Sequence, residues 1–301
     1  MIRSDEQNAI TRRDLLRTGA ISAAALVFGA ESALAQDAQQ RRQRGQGQGQ
    51  RRGPYAPFRM GIQSYSLRHF KLDEALAKTQ QLGLRNWEAY PAHIPQTDDP
   101  AKIKEMLDKL RASNVRLRSW GVVGFDADEA KTRKVLDFAK AMNVAVVSAD
   151  PSPESFPVLD KVLEQYPDIF IAIHNHGPGH RYDKITDVTK AIQGHHERIG
   201  ACVDTGHYLR SGEDPVAAVK AFGKRTYGVH LKDVKDKTKF TEVGKGDLKV
   251  ADLLKEIREH QYRQIIALEY EEYPENPISY IEECLAATRE AIKKIAPPAP
   301  Q

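Results

Sequence analysis

From Arg59 onward, short apolar runs alternate with stretches whose apolar residues recur at helical spacing, one pair about every 25–30 residues. Eight runs predict strands: Met60–Tyr65, Asn86–Tyr90, Val115–Trp120, Val144–Asp150, Ile169–His174, Ile199–Asp204, Thr226–Lys232 and Gln264–Glu271. Between them, sets such as Leu72, Leu76 and Leu82, or Val250, Leu253, Leu254 and Ile257, form one apolar stripe per predicted helix. These stripes are packing faces. Asp214-Pro215 before Val216 and Asn276-Pro277 before Ile278 combine a capping residue with a proline where helices should begin.

Strict alternation of strand and helix is the mark of a parallel α/β fold, and eight units close more naturally into a barrel than into an open sheet. No Gly-x-Gly-x-x-Gly fingerprint follows an early strand, which disfavours a dinucleotide fold. The expected architecture is a single-domain (β/α)8 TIM barrel over residues 58–296, with a short tail at 297–301. In such a barrel, chemistry belongs at the C-terminal ends of the strands.

Four consecutive predicted strands end in residues that are out of place in an apolar core. They are His174-Asn175-His176, Asp204-Thr205-Gly206-His207, His230-Leu231-Lys232-Asp233 and Glu269-Tyr270-Glu271. Side chains alternate faces with period two, so His174 with His176, His230 with Lys232, and Glu269 with Glu271 share a face. Their neighbours Ile173, Val203, Val229, Leu231, Ile266 and Leu268 suit the layer beneath the helices. The ionisable set therefore points to the barrel axis. Burying imidazoles, carboxylates and an ammonium together is costly, and a divalent cation is the simplest compensation. Two nitrogen and two oxygen ligands suit Mn²⁺, Co²⁺, Zn²⁺ or Fe²⁺ better than Ca²⁺, with Mn²⁺ favoured.

Charge and composition narrow the partners. Residues 1–57 hold nine Lys/Arg and five Asp/Glu, leaving 36 of each sign in the rest, so the folded part is neutral and gives no reason to expect nucleic acid. Cys202 and Cys284 are too few for a disulfide scaffold and read as buried strand and helix positions. The run Lys235–Lys239 reads as a solvated loop, and His195-His196 as an exposed turn far from the strand ends.

The first residues carry Arg12-Arg13, an Ala- and Gly-rich apolar run from Gly19 to Ala30, and Ser32-Ala33-Leu34-Ala35. This order resembles a twin-arginine export signal over residues 1–35, cleaved after Ala35. The apolar run is too short to anchor the protein in a membrane. Residues 36–57 are rich in Gln, Arg and Gly and read as a disordered linker. The resemblance implies a periplasmic or otherwise exported protein.

The combination of Asp204-Thr205-Gly206-His207, His230-Leu231-Lys232-Asp233, Val243-Gly244-Lys245-Gly246-Asp247 and Leu268-Glu269 resembles the xylose isomerase-like barrels, in particular the sugar phosphate isomerase/epimerase family. The resemblance implies one metal held by His174, Asp204, His230 and Glu269. It also implies a substrate-binding role for His207. Ketose 3-epimerases of that superfamily carry a glutamate where this chain has His174, which argues against a symmetric two-glutamate epimerisation. The implied reaction is proton abstraction next to a sugar carbonyl, through an enediolate stabilised by the metal. Glu269 is the candidate base, with His176, Lys232 or Glu88 as partners for proton return or oxyanion contact.

Glu88 reads equally as a substrate contact or an ion-pair partner, and Trp120 as a sugar-stacking ring or a core residue. The expected substrate is a small sugar or sugar derivative, unphosphorylated if the enzyme is exported. A homo-oligomer stays open. A 3-keto-glycoside lyase or hydrolase would use the same enolate chemistry. A metal-dependent endonuclease and a non-catalytic sugar-binding barrel are the remaining alternatives.

Overall fold

The computed structural model describes residues 53–296. The stretch read as an export signal (1–35), the tail (297–301) and residues 36–52 of the expected linker fall outside the described residues. Eight parallel strands close into a barrel. In chain order, with the helices that cover them, they are β1 (Arg59–Gln63), α1 (Leu72–Gln81), β2 (Asn86–Ala89), α2 (Pro100–Ala112), β3 (Arg116–Phe125), α3 (Glu129–Ala141), β4 (Val146–Pro151), α4 (Phe156–Leu163), β5 (Phe170–His174), α5 (Ile185–Ile192) and β6 (Ile199–Asp204). The chain continues through α6 (Thr205–Arg210), α7 (Pro215–Phe222), β7 (Thr226–Leu231), a hairpin of β8 (Asp233–Lys235) and β9 (Lys239–Thr241), α8 (Val250–Glu259), β10 (Ile265–Leu268) and α9 (Ile278–Ile295). Strand β10 pairs with β7 and β1 and closes the ring. The (β/α)8 TIM barrel expected from the alternating pattern is the fold observed.

Local chemistry sets the helix starts. Asp99, Asp128 and Asp214 cap α2, α3 and α7 by accepting from Ala101, Ala130 and Val216 N–H, and Pro100 and Pro215 occupy first-turn positions. At α9 the cap is Pro277 itself, with no side-chain cap bond, so Asn276 does not play the part its sequence position suggests. Each stripe then buries against the sheet. Leu253, Leu254 and Ile257 of α8 are fully covered, each contributing about 1.5–3 kcal/mol of apolar burial. No helix among the described residues is long and apolar enough to cross a membrane.

The two faces of the sheet divide as the alternation requires. Ile173, Val203, Val229, Leu231, Ile266 and Leu268 are fully buried in the layer between strands and helices. Inside the barrel, Val146, Ala172 and Cys202 form a separate small cluster against Phe170 and Tyr227. That interior is narrow. A Cβ on Gly228 would lie 2.8 Å from Cys202 Sγ, so only glycine fits beside it. Cys202 and Cys284 are both free and buried.

Three boundaries differ from the sequence expectation. Tyr55, assigned to the linker, is buried in the core, and its hydroxyl accepts from Arg289 Nη1 at 2.7 Å. Strand β3 runs past Trp120 to Phe125 through a register shift between Trp120 and Val123. The Lys235–Lys239 segment is a hairpin joining β8 and β9, where β8 pairs antiparallel with β9 and Val234 lies opposite Phe240. His195 and His196 are half-buried, held by Asp160 and Glu164, at the entry of β6 and so at the opposite end of the barrel from the strand ends.

A buried carboxylate anchors the hairpin. Asp233 Oδ1 accepts from the N–H groups of Val234 (2.8 Å) and Leu248 (2.9 Å), and Oδ2 from those of Gly244 (2.9 Å) and Gly246 (3.1 Å). Gly246 must be glycine, since a Cβ there would stand 2.3 Å from Asp233 Oδ1. The Val243–Asp247 motif is thus a cradle for this carboxylate. Asp233→Asn puts an NH₂ group against two of those N–H donors and should cost about 2–4 kcal/mol. Urea unfolding checks this, as a lowered midpoint with an unchanged slope.

Candidate metal centre

His174 ends β5, Asp204 ends β6, His230 lies on β7 and Glu269 directly follows β10. Each offers one ligand atom, and the four atoms lie within 4.8 Å of one another in a buried pocket. His174 Nε2 stands 3.0 Å from His230 Nδ1 and 3.4 Å from Asp204 Oδ2. His230 Nδ1 stands 2.9 Å from Glu269 Oε2. The sequence-predicted ligands are therefore brought together.

Backbone clamps hold these ends. Asn175 bonds both ways with Asp204, donating from Nδ2 to its carbonyl (3.0 Å) and accepting at Oδ1 from its N–H (2.8 Å), which locks β5 to β6. Thr205 Oγ1 accepts from Lys232 N–H at 2.8 Å and ties β6 to β7. Asp204 also caps α6, with Oδ1 accepting from His207 N–H at 2.8 Å, which leaves Oδ2 for the pocket.

The donor set fits a divalent ion. Asp204 Oδ2 and Glu269 Oε2 are buried without a well-formed hydrogen bond, which is costly for carboxylate oxygens unless a cation takes them up. The spacings of about 3–4 Å suit atoms that share one ion at about 2.0–2.2 Å each. Lys232 Nζ lies 3.0 Å from Asp204 Oδ2, 3.3 Å from Glu269 Oε2 and 2.5 Å from Glu271 Oε1. One ammonium thus faces the carboxylates of Asp204, Glu269 and Glu271, an excess of negative charge that a divalent ion would neutralise. Burial works against the charged forms of Asp204 and Glu269, but Lys232 and the neighbouring histidines together outweigh it and hold both carboxyls well below the usual range. Burial likewise opposes the Lys232 ammonium, and the facing carboxylates overcome it and raise its pKa. All three stay ionised, as ligands and their counter-charge must.

Around this centre lie the other predicted site residues. The His176 ring sits 4.6 Å from that of His174 and 4.3 Å from that of His180, and its Nδ1 has no partner. His207 packs at 5.9 Å from the His174 ring and accepts at Nδ1 from Arg210 Nη1 at 3.2 Å. Burial brings both histidines down to about 3, so each is a neutral imidazole near pH 7. Gly206 opens the path for Lys232, because a Cβ there would lie 2.7 Å from the lysine stem.

Two predicted substrate contacts lie elsewhere. Glu88 is 1% exposed and sits beneath the ligands with its Oε1 at 2.8 Å from His230 Nε2, so it reaches the ligands and not the open pocket. Trp120 faces outward. Alternation puts Ser119 inside, so the indole packs edge-on against Phe138 at 5.0 Å and donates to the Ile94 carbonyl at 2.9 Å, leaving no ring face for a sugar.

Sequence reasoning did not single out Phe240, Arg210 or His180. Phe240 forms the apolar wall, its ring 5.7 Å from that of His207 and 5.2 Å from both Arg210 Cζ and Lys232 Nζ. Phe240 was hidden because the lysine-rich hairpin reads as a solvated loop. Arg210 carried a signal, one helical turn after His207, and so did His180, four residues after His176.

A (β/α)8 barrel with a His/Asp/His/Glu cluster at the C-terminal strand ends defines the class. The chain belongs to the xylose isomerase-like TIM barrel family, whose sequence pattern matches residues 76–296. No curated protein matches it. Among solved structures, it is similar to an uncharacterised protein from Parabacteroides distasonis, with 26% identity and a TM-score of 0.62 over 80% of this chain and 100% of that one. It is also similar to a D-tagatose 3-epimerase-like protein (16% identity, TM-score 0.62, covering 79% of this chain and 100% of that one). A third is a 3-keto-D-glucoside 4-epimerase from E. coli (14% identity, TM-score 0.61, 77% and 99%). The last two likenesses are of fold.

Binding to the folded state alone raises stability by mass action, about 2.7 kcal/mol at a hundredfold excess over Kd. Mn²⁺ added to chelator-treated protein should therefore raise the melting temperature by several degrees. Asp204→Asn should remove that increment, as read by calorimetry with and without metal.

Proposed function

We propose that this barrel is a metal-dependent sugar isomerase or epimerase that works by proton abstraction next to a carbonyl. The observation that carries the reading is the four buried ligand atoms within 4.8 Å at the strand ends of this family's barrel. Mn²⁺ is the favoured ion, and the signal-like N-terminus makes the periplasm the proposed location, with an unphosphorylated sugar as substrate.

Bound at this site, a divalent ion supplies a fixed positive charge for the substrate oxygens, worth several kcal/mol where water is scarce. His207 is neutral and accepts from Arg210 at Nδ1, so its Nε2 carries the proton and serves as a hydrogen-bond donor to a hydroxyl. Lys232 adds a second positive charge beside Asp204 and Glu269. Phe240 closes one side with an apolar face, where the C–H side of a sugar ring packs. Glu269 is the candidate base. His176, whose Nδ1 has no partner, is the candidate for proton return once it has taken up a proton.

His174 favours a second reading. An imidazole on β5 supplies no second carboxylate for symmetric inversion. Enolate formation beside a 3-keto group would then expel a glycosidic leaving group, which makes a 3-keto-glycoside lyase or hydrolase. Incubating metal-loaded protein with free ketoses and with 3-keto-glucosides separates the two, through inversion or isomerisation in one case and aglycone release in the other. Turnover of neither would sink both.

His230→Ala should lose bound metal and activity together, while Glu269→Gln should lower turnover at least a hundredfold with a smaller loss of metal, measured by metal analysis beside kinetics. Phe240→Ala should raise KM about tenfold with metal content unchanged.

A further inference from the structure

A buried carboxylate outside the ligands lies on the far side of the barrel. Glu88 projects inward from β2, and His230 from β7; two strands, β1 and β10, stand between them around the ring. The pair therefore meets across the interior. Glu88 Oε1 lies 2.8 Å from His230 Nε2 and accepts from Gln63 Nε2 at 3.0 Å, while Oε2 accepts from Ser119 Oγ at 2.6 Å. Gln63 is itself oriented, because its Oε1 accepts from Tyr65 N–H at 3.1 Å, which turns its NH₂ group toward Glu88. All four side chains are at most 2% exposed.

We propose that Glu88 is a positioning residue for the metal, fixing the tautomer of His230 and supplying one of the negative charges that match the site to a divalent ion. The inference rests on the metal reading above. Both Glu88 oxygens already accept, Oε1 from Gln63 and Oε2 from Ser119, so the carboxylate is set up as an acceptor and the hydrogen of the His230–Glu88 contact belongs to His230 Nε2. The lone pair of Nδ1 is then directed into the ligand cluster, where His174 Nε2 and Glu269 Oε2 lie 3.0 and 2.9 Å away. With no carboxylate behind it, the ring would also populate the tautomer whose proton faces the ion. Lys232 pairs with Asp204, Glu269 and Glu271, and Glu88 has no Lys or Arg partner among the described residues. Its charge is therefore felt through the His230 ring. Carboxylate partners of metal-bound histidines generally carry 10–100-fold in affinity.

The test uses the full chain, stripped with chelator and titrated with Mn²⁺ and with Co²⁺ against a competing chelator, while the Co²⁺ visible spectrum follows the coordination. Glu88→Gln keeps the shape, since the amide oxygen can face His230 and Gln63 and Ser119 can rotate to accept from the NH₂ group. It should weaken both ions about 10–100-fold and shift the Co²⁺ bands, with the metal-free melting temperature close to that of the parent. Ser119→Ala, which removes one donor to Glu88, should weaken binding a few-fold in the same direction and serves if the glutamine variant does not fold. Parent-like affinity and an unchanged Co²⁺ spectrum in a folded variant would overturn the positioning role alone. A parent protein that binds neither ion would overturn it together with the metal reading.

Discussion

Closing a sheet on itself forces the last inward side chain of every strand toward one axis, and here several of those side chains are ionisable and dry. Two carboxylates, two imidazoles and an ammonium stand within hydrogen-bond range of one another, with a third carboxylate behind. Burial of like charges at such distances is costly. The surrounding structure can be understood as the answer to it. Lys232 is threaded past a glycine to bring one positive charge in, and the divalent ion proposed for the site would complete the balance.

The same constraint explains why the ligands sit on strand ends clamped by backbone bonds. A ligand that drifts by an ångström in a low-dielectric pocket loses much of its electrostatic value, so rigid supports matter more than added contacts. Asn175 and Thr205 join neighbouring strands at the height of the ligands, and the Asp204 carboxylate divides its oxygens between a helix cap and the pocket. The neutral imidazoles of His176 and His207 then offer proton transfer and hydrogen bonding without adding charge.

Much of this was legible in the sequence because it depends on period and parity. The eight strands fall where apolar runs predicted them, and His174, Asp204, His230 and Glu269 converge as their shared face required. At Trp120 the sequence left a sugar-stacking ring and a core residue open, and the core reading is the one the structure shows. A register shift carries β3 onward, and the indole belongs to the helix layer. Phe240 was illegible for another reason. Its position depends on a hairpin whose anchor is the buried Asp233, four backbone bonds that no local pattern of lysines announces. Glu88 was visible as a candidate, but its contact with His230 across the barrel is a fact of closure and not of neighbouring sequence.

The cradle around Asp233 joins the hairpin to the loop that leads into α8, and none of its hydrogen bonds involves a metal ligand. The side of the pocket that carries Phe240 is therefore built separately from the side that holds the charges. On the proposed function, residues at the hairpin tip could be exchanged to admit a different substrate without touching the four candidate ligands. A barrel divided in this way can change its diet without relearning its chemistry.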